Sequence, residues 1–190
     1  MLRVVLALLL ALATPAAAFE DHPRAYAGST PKVSGEEILH AGHNLFGTTT
    51  HGLAAALQNI LSRFGPPDGY IVGEEGAAAF FGGLRYGEGA LQLAGQAPTQ
   101  IFWQGPSVGW DFGGSGSRVM MLVYNARSPR TLLQRFTGVD GSAYLVGGVS
   151  MTVMAAHESY LVPVRTGVGA RLGVSLGYLK FTDKPTWNPF

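Results

Sequence analysis

A short motif near the middle of the chain has the residue types of a hydrolase nucleophile. Residues 105–109 read GPSVG, which matches G-x-S-x-G, and Asp140 and His157 follow in the order that α/β-hydrolases use. That chemistry needs a strand, a sharp turn at Ser107 and then a helix whose N-terminus helps to hold an oxyanion. The chain continues instead with WDFGG and further strand-like residues. A bend between two strands is therefore favoured, and a serine hydrolase is kept as an alternative.

Two other segments have the composition of a metal or phosphate site without the full pattern. Glu36, His40 and His43 have the helical spacing i, i+4 and i+7, and imidazole and carboxylate groups bind zinc. No fourth ligand accompanies them, so a polar helix face is favoured and no metal is predicted. Residues 113–117, GGSGS, lack the GK[ST] ending of a P-loop and predict a tight turn. The sequence therefore predicts no cofactor.

Four charged residues fall within strand-like apolar stretches. They are Asp111, Arg118, Arg165 and Arg171. Ionised groups are rarely buried without a partner, so some of these side chains are expected to be exposed or paired. A structural ion pair, such as Asp111 with one of the arginines, is favoured over acid–base catalysis.

Two helices are indicated by caps and by apolar periodicity. Ser34 and Glu37 form an S-x-x-E capping box, which predicts a helix to about Leu45 that stops at Gly47. A second N-cap is offered by residues 48–50, and an apolar stripe then recurs at helical spacing up to a Gly-Pro-Pro stop. The stripe consists of Leu53, Leu57, Ile60, Leu61 and Phe64.

Beyond these helices the pattern changes to that of a sheet with one interruption. Residues 80–93 predict a hairpin that turns at residues 87–89. Ser128 and Pro129 begin a short internal helix, and the sheet resumes at Ser142. The helix carries Leu132, Leu133 and Phe136, and the other predicted strands cover residues 100–104, 108–113 and 118–124.

The last long strand, residues 167–178, shows why the sheet is expected to curl. One face carries mostly bulky apolar residues, and the other carries mostly glycine. A nearly bare face lets a strand bend sharply or lets another element come close. The predicted fold is mainly β, of the α+β class. It is a small, coiled β-barrel-like sheet packed with two N-terminal helices and one short internal helix.

The N-terminus has the pattern of an export signal. Residues 1–18 combine one basic residue, an apolar core too short to span a bilayer and an A-x-A end, which predicts a signal peptide cleaved after Ala18. Residues 19–33 predict a flexible leader, and residues 34–190 predict a single domain. The chain has no cysteine, so neither disulfides nor a lipid-modified N-terminus is expected.

Composition excludes some classes of partner. The formal net charge is +1 and no basic face is clustered, so no nucleic-acid partner is predicted. After the signal core, no segment reaches about eighteen consecutive apolar residues, so no membrane helix is predicted. Export and alternating strands suggest an outer-membrane barrel as an alternative. The helices and Pro189, which denies the last strand a backbone donor, count against it.

Longer motifs resemble a known family. They are WQGPSVGWDFGGSGSRVMMLVYN, FTGVDGSAYLVGGVSMTV, VPVRTGVGARLGVSLGYLKFT and TWNPF, and the likeness extends back through AGHNLFG and GYIVGEEGAAAFFGGLRYGEG. Together they resemble the DUF1134 family of small periplasmic proteins of Alphaproteobacteria. The resemblance implies a compact barrel-like domain, a role in envelope integrity under stress, a hydrophobic cavity for apolar molecules and no established enzymatic activity. The GPSVGWDFGGSGSRVMMLVYN segment is also distantly similar to SYLF domains, which bind lipids.

The predicted function is therefore that of a non-enzymatic periplasmic protein that supports envelope integrity by binding a lipid or another hydrophobic ligand in its barrel. Residue type and strand location give candidates for the cavity lining: Phe81, Trp110, Phe112, Met121, Met151 and Met154. The alternative is a structural or interaction protein of the envelope, because hollow and filled barrels have the same alternation of residues. The predicted partners are a lipid or apolar small molecule and other envelope proteins.

Overall fold

The computed structural model describes residues 31–47, 52–78, 84–106, 117–139, 144–146, 148–166, 177–186 and 188. Within these ranges the chain forms two helices, α1 (Gly35–Phe46) and α2 (Leu53–Phe64), followed by ten strands. The strands are β1 (Gly69–Ala78), β2 (Leu84–Leu93), β3 (Thr99–Pro106), β4 (Ser117–Tyr124), β5 (Arg135–Gly138), β6 (Tyr144–Val146), β7 (Val149–Met151), β8 (Met154–Ala156), β9 (Ser159–Thr166) and β10 (Tyr178–Thr182). A one-turn 3-10 helix, Pro129–Leu132, lies between β4 and β5.

The sheet closes on itself. Eight strands pair in the order β4-β1-β2-β3-β10-β5-β8-β9, and β9 pairs back to β4. The edge of β9 that faces away from β4 pairs with two strands. Its first residues pair with β8 and its last residues with β7, and β7 in turn pairs with β6. All of these pairs are antiparallel. The predicted small β-barrel with packed helices is confirmed, and closure leaves the ring without an unpaired edge.

Strand β4 separates two apolar clusters. Val119 and Met121 point into the barrel, while Met120 and Leu122 point outward to the helices, and all four are fully buried. A strand that is buried on both faces has a continuous apolar sequence rather than an alternating one. The run VMMLVY is apolar throughout for this reason.

The helices form the outer layer over β4, β7 and β9. Ser34 caps α1 as predicted, because its Oγ accepts a hydrogen bond from Glu37 N at 3.1 Å. Within the predicted stripe of α2, Leu53, Leu57 and Ile60 are fully buried. The N-cap of α2 is Gly52, and the predicted cap at residues 48–50 lies outside the described residues.

The predicted leader extends to Val33, but the structure places its last residues in the domain. Val33 is 1% exposed and donates its N–H to Pro67 O at 2.9 Å. Lys32 forms an ion pair with Asp68 at 2.7 Å. Ordered contacts therefore begin no later than Lys32, and the predicted signal peptide lies outside the described residues.

The predicted hairpin with a turn at residues 87–89 is wrong. β2 runs without interruption through these residues and pairs with both β1 and β3. Gly87 lies opposite Trp103, and a Cβ added there would lie 2.2 Å from the indole ring. A Cβ on Gly73 would lie 2.9 Å from the same ring. Gly73 of β1 and Gly87 of β2 thus leave a recess for the Trp103 ring. Besides forming turns, glycine in a sheet allows such a close approach of another group.

The predicted internal helix is shorter than expected. It ends at Leu132, and Phe136 belongs to β5, where its side chain is fully buried in the barrel. Leu133 is 36% exposed. The predicted strands over residues 108–113 and 167–176 lie outside the described residues, and the last described strand begins at Tyr178.

Replacing Gly87 by Ala should lower the free energy of unfolding by about 1–3 kcal/mol, because the added methyl group overpacks the Trp103 recess. The matched control is Gly76→Ala in β1, where a Cβ meets nothing within 4 Å. It should change stability by less than about 0.5 kcal/mol. Urea unfolding of both variants measures the difference, and equal midpoints would contradict the role assigned to the recess.

Candidate functional site

The two ends of the barrel differ in what lies inside them. We call the upper end the one where β1, β3 and β9 finish and β2, β4 and β10 begin, and the lower end the opposite one. Ser117 belongs to the interior-facing row of β4 with Val119 and Met121, yet it is exposed. Solvent therefore reaches this row at the upper end.

A charged cluster lies in the interior at the upper end. It consists of Glu75 on β1, Arg85 on β2 and Arg165 on β9. Two-residue alternation places Glu75 on the face of the interior residue Ile71, and Arg165 lies directly opposite the interior residue Val119. The three charged side chains are 6%, 10% and 12% exposed, in the order named.

Hydrogen bonds converge on the carboxylate of Glu75. Arg165 donates from Nε to Oε1 at 2.6 Å and from Nη2 to Oε2 at 3.3 Å, a forked arrangement. Arg85 Nε lies 3.8 Å from Oε1, and Trp103 Nε1 donates to Oε2 at 3.3 Å. One buried carboxylate thus joins strands β1, β2, β3 and β9.

The electrostatics of the cluster keep Glu75 ionised. Burial alone would raise the pKa of Glu75, but the charges of Arg165 and Arg85 act in the opposite direction. Together with the hydrogen bonds from Arg165 and Trp103, they hold the pKa of Glu75 below its ordinary value. Burying each charge costs desolvation free energy, which the partners of that charge offset. Removing one partner should therefore destabilise the fold strongly.

An aromatic core lies next to the cluster. The Trp103 and Phe181 rings have centroids 6.1 Å apart, and Phe136 meets Phe181 edge-on at 5.6 Å and 82°. All three rings are buried in the interior cluster. This part of the barrel is therefore filled by side chains of the chain itself, and the charged cluster lies between the filled part and the upper end.

The predicted lining residues separate into three groups. Met121 and Met154 lie in the interior cluster, whereas Met151 lies in the outer cluster between the helices and the sheet. Phe81, Trp110 and Phe112 lie outside the described residues. The register of β7 explains why Met151 points to the helices. Met151 lies opposite Val164 on β9, and Val164 also faces the helices. A ligand-lining role for these residues stays a prediction.

Sequence reasoning missed Glu75, Arg85 and Trp103 and singled out Arg165. Arg165 is one of four charged residues of which some were expected to be exposed or paired, and it pairs with Glu75. Asp111 and Arg171 lie outside the described residues. Arg118 faces outward and donates from Nη1 to Leu45 O at 2.9 Å. The available signal for Glu75 was its two-residue spacing from Gly73 and Ile71, which is informative only once the strand is assigned.

Neither alternative chemistry gains support from the described residues. His157 lies in the turn between β8 and β9 at the lower end, whereas β3 ends at Pro106 at the upper end. Ser107 and Asp140 lie outside the described residues. His40 is exposed, and Asn44 Nδ2 lies 3.2 Å from His40 Nδ1. Within the described ranges, no three His, Cys, Asp or Glu side chains are grouped to hold a metal ion.

Asp68 ties the lower end together. Its carboxylate accepts hydrogen bonds from Lys32 Nζ at 2.7 Å and Asn125 N at 2.5 Å, and its backbone bonds to Val123 and Ala94. A polar cleft of about 350 Å³ opens beside it. Because the contacts of Asp68 join three separate segments, we assign the residue to holding this end closed. The cleft is lined by Lys32, Asp68, Asn125, Ala126, Arg127, Thr131 and Glu158.

Comparison with known families assigns the chain to one of them. Residues 32–190 match the family described as envelope integrity protein A. The chain belongs to the envelope integrity protein A family. The match confirms the family resemblance drawn from the motifs, and the family name associates its members with the cell envelope.

A solved structure has the same fold. The crystal structure of a beta-barrel-like, uncharacterized protein from Brucella abortus shares 53% sequence identity with this member of the envelope integrity protein A family. The match has a TM-score of 0.78 and covers 84% of this chain and 99% of that chain. Comparison with curated proteins found no match. Of the helices in the described ranges, none has the length and apolarity that crossing a bilayer requires.

Glu75→Gln should lower the free energy of unfolding at pH 7 by about 3 kcal/mol, because it leaves the Arg165 and Arg85 charges without their carboxylate. In the wild type, stabilisation by ionised Glu75 is fully present above the ordinary pKa of 4.5 and is lost as pH falls through the lower pKa of the folded state. Stability should therefore fall more steeply with acid in the wild type than in Glu75→Gln.

The matched control for this experiment is Glu74→Gln, because Glu74 is the exposed neighbour of Glu75 on the same strand. It should keep both the wild-type stability at pH 7 and the wild-type acid slope. Chemical denaturation at a series of pH values measures both quantities. Parallel curves for the wild type and Glu75→Gln would refute the ionised cluster.

Proposed function

We propose that this protein is exported to the periplasm and supports envelope integrity without catalysis, by holding a lipid or another apolar molecule at the upper end of its barrel. Membership of the envelope integrity protein A family supports the role in the envelope. The predicted signal peptide, residues 1–18, supports the location.

The binding proposal rests on the change from apolar to charged side chains along the barrel interior toward the upper end. An aromatic and aliphatic core gives way to a buried charged cluster, and Ser117, which lies opposite Glu75 on β4, is exposed. Sites for small apolar ligands combine apolar walls with a few fixed polar groups. The upper end of the barrel has both components in the described residues.

A second candidate is a purely structural or interaction protein of the envelope. The filled interior favours it, since Trp103, Phe136 and Phe181 occupy space that a ligand would need. The two candidates differ in one measurable property, which is whether the purified protein carries or accepts a lipid.

Protein purified from the periplasmic fraction without detergent, then extracted with organic solvent, should release a lipid detectable by mass spectrometry. It should also bind a fluorescent fatty-acid probe that unlabelled lipid displaces. Ser117→Trp should reduce both signals several-fold, because a bulky ring in the exposed interior row opposite Glu75 would obstruct the upper end.

Thr137→Trp is the matched control, since Thr137 is exposed and alternates with the interior residue Phe136 on β5. It adds the same ring to the outside of the barrel and should leave binding intact. Background levels of lipid together with no probe binding by the wild type would reject the carrier and leave the structural candidate. Release of the protein by osmotic shock tests the location separately.

A further inference from the structure

We propose that the lower end of the barrel docks on an anionic lipid membrane through the connection between β4 and β5. β4 ends and β5 begins at this end, and residues 127–135 join them. We call these residues the basic connection, because their sequence, RSPRTLLQR, carries three arginines and no acidic residue. The inference concerns the opposite end of the barrel from the proposed lipid site and does not depend on that site.

The arginines of the basic connection are exposed and are not neutralised by acidic groups. Arg127, Arg130 and Arg135 are all exposed. Within the described part of the chain, none of the three forms an ion pair with a carboxylate. The guanidinium carbon of Arg135 lies instead 4.3 Å from the centroid of the Tyr178 ring. The positive charges of the connection are therefore available to an external anion.

Acidic side chains at the lower end lie outside the basic connection. Asp68 is buried, and its carboxylate is paired with Lys32. Glu158 in the β8–β9 turn and Asp183 after β10 are exposed, and the acidic first turn of α1 belongs to the helical layer. The connection is thus a strip of positive charge bordered by acidic groups. Such a strip is attracted to an anionic bilayer within about a Debye length, in one preferred orientation.

The same segment exposes an apolar side chain. Of the large apolar residues in the described ranges, Leu133 alone is exposed, at 36%. Its N–H donates to Arg130 O at 3.2 Å, which closes the one-turn 3-10 helix. Residues three apart in a 3-10 helix lie above one another, so Leu133 and Arg130 lie on the same side of the connection.

The barrel holds the basic connection in place. The neighbouring side chain of Leu132 is fully buried in the interior cluster. Phe181 N donates to Gln134 O at 2.9 Å, and Gln96 Nε2 donates to Arg127 O at 3.0 Å. The connection is therefore ordered before it meets a partner, and docking does not have to order its backbone.

An exposed leucine among arginines fits a lipid surface better than a protein surface. A stable protein interface buries about 800 Å² on each partner around an apolar core, and Leu133 is a single side chain. A bilayer interface takes up a single apolar side chain between its headgroups, while guanidinium groups bind the lipid phosphates. Three arginines within nine residues are also too few for the basic face that nucleic acid requires.

Sedimentation with vesicles tests the docking. The mature chain, residues 19–190, should bind vesicles made of equal parts of phosphatidylglycerol and phosphatidylcholine. It should bind vesicles of phosphatidylcholine alone at least about tenfold more weakly, because these carry no net charge. Raising sodium chloride from about 0.05 M to about 0.5 M should release most of the bound protein, since salt screens the attraction. Equal binding to both kinds of vesicle would overturn the inference.

Substitutions test the assigned residues. Arg127→Gln and Arg130→Gln should each weaken binding to the anionic vesicles about fivefold. Leu133→Gln should weaken it by about the same factor, because the inserted apolar group is lost. Arg118→Gln is the charge-matched control, since Arg118 lies at the upper end and bonds to α1, and it should keep the wild-type affinity. Equal losses in all four variants would show that overall charge, and not the basic connection, drives binding.

A fluorescent label reports which end meets the bilayer. The chain has no cysteine, so Leu133→Cys gives a single attachment point for an environment-sensitive dye. The dye should shift to the blue on anionic vesicles, and the same dye on Asn44→Cys, at an exposed position of α1, should not. Ser117→Trp, which obstructs the upper end, should leave vesicle binding unchanged. Loss of vesicle binding in Ser117→Trp would assign the binding to the upper end and overturn the inference.

The competing partner is an acidic protein surface, and a further measurement separates it. Retention of the protein on immobilised polyglutamate, with no binding to anionic vesicles, would reject the membrane in favour of an acidic polypeptide. Failure to bind either would remove the docking role of the basic connection. Both results would leave the proposed lipid site intact, because that site is tested by solvent extraction and probe displacement.

Discussion

The seating of the Trp103 indole in its glycine recess is the contact on which the rest of the barrel depends. Gly73 and Gly87 provide space that a Cβ would remove, so β1, β2 and β3 close over a large ring in the interior. The same ring packs against Phe181 and donates a hydrogen bond to Glu75. One side chain therefore connects the apolar core to the charged cluster, and the carboxylate is positioned by the packing beneath it.

The helices contribute to the same arrangement through β9 and β4. Val164 faces the helices in the outer cluster, while its neighbour Arg165 faces the interior. Because adjacent residues of a strand point to opposite faces, the packing of the outer layer fixes the strand that carries Arg165. The helical layer thus supports the cluster although it is on the other side of the sheet, and Met120 plays the corresponding part on β4.

Local signals in the sequence predicted much of the fold, and they failed where glycine was ambiguous. The Ser34 cap, the apolar stripe of α2 and the apolar run of β4 each reflect a few neighbouring residues, and each is present in the structure. Residues 87–89 have the composition of a turn, yet they lie inside β2. Glycine permits both a turn and a close approach, and the choice depended on Trp103, which is distant in sequence.

The sequence by itself determined the class of fold and the family, because caps, alternation and long motifs are local properties. The tertiary structure alone decided that Glu75, Arg85 and Arg165 meet, since strand order and register bring together residues up to 90 positions apart. It also decided which methionines share a cluster, because Met151 and Met154 lie close in the chain but on opposite faces of the sheet. Register is set by packing between distant strands, and no local pattern encodes it.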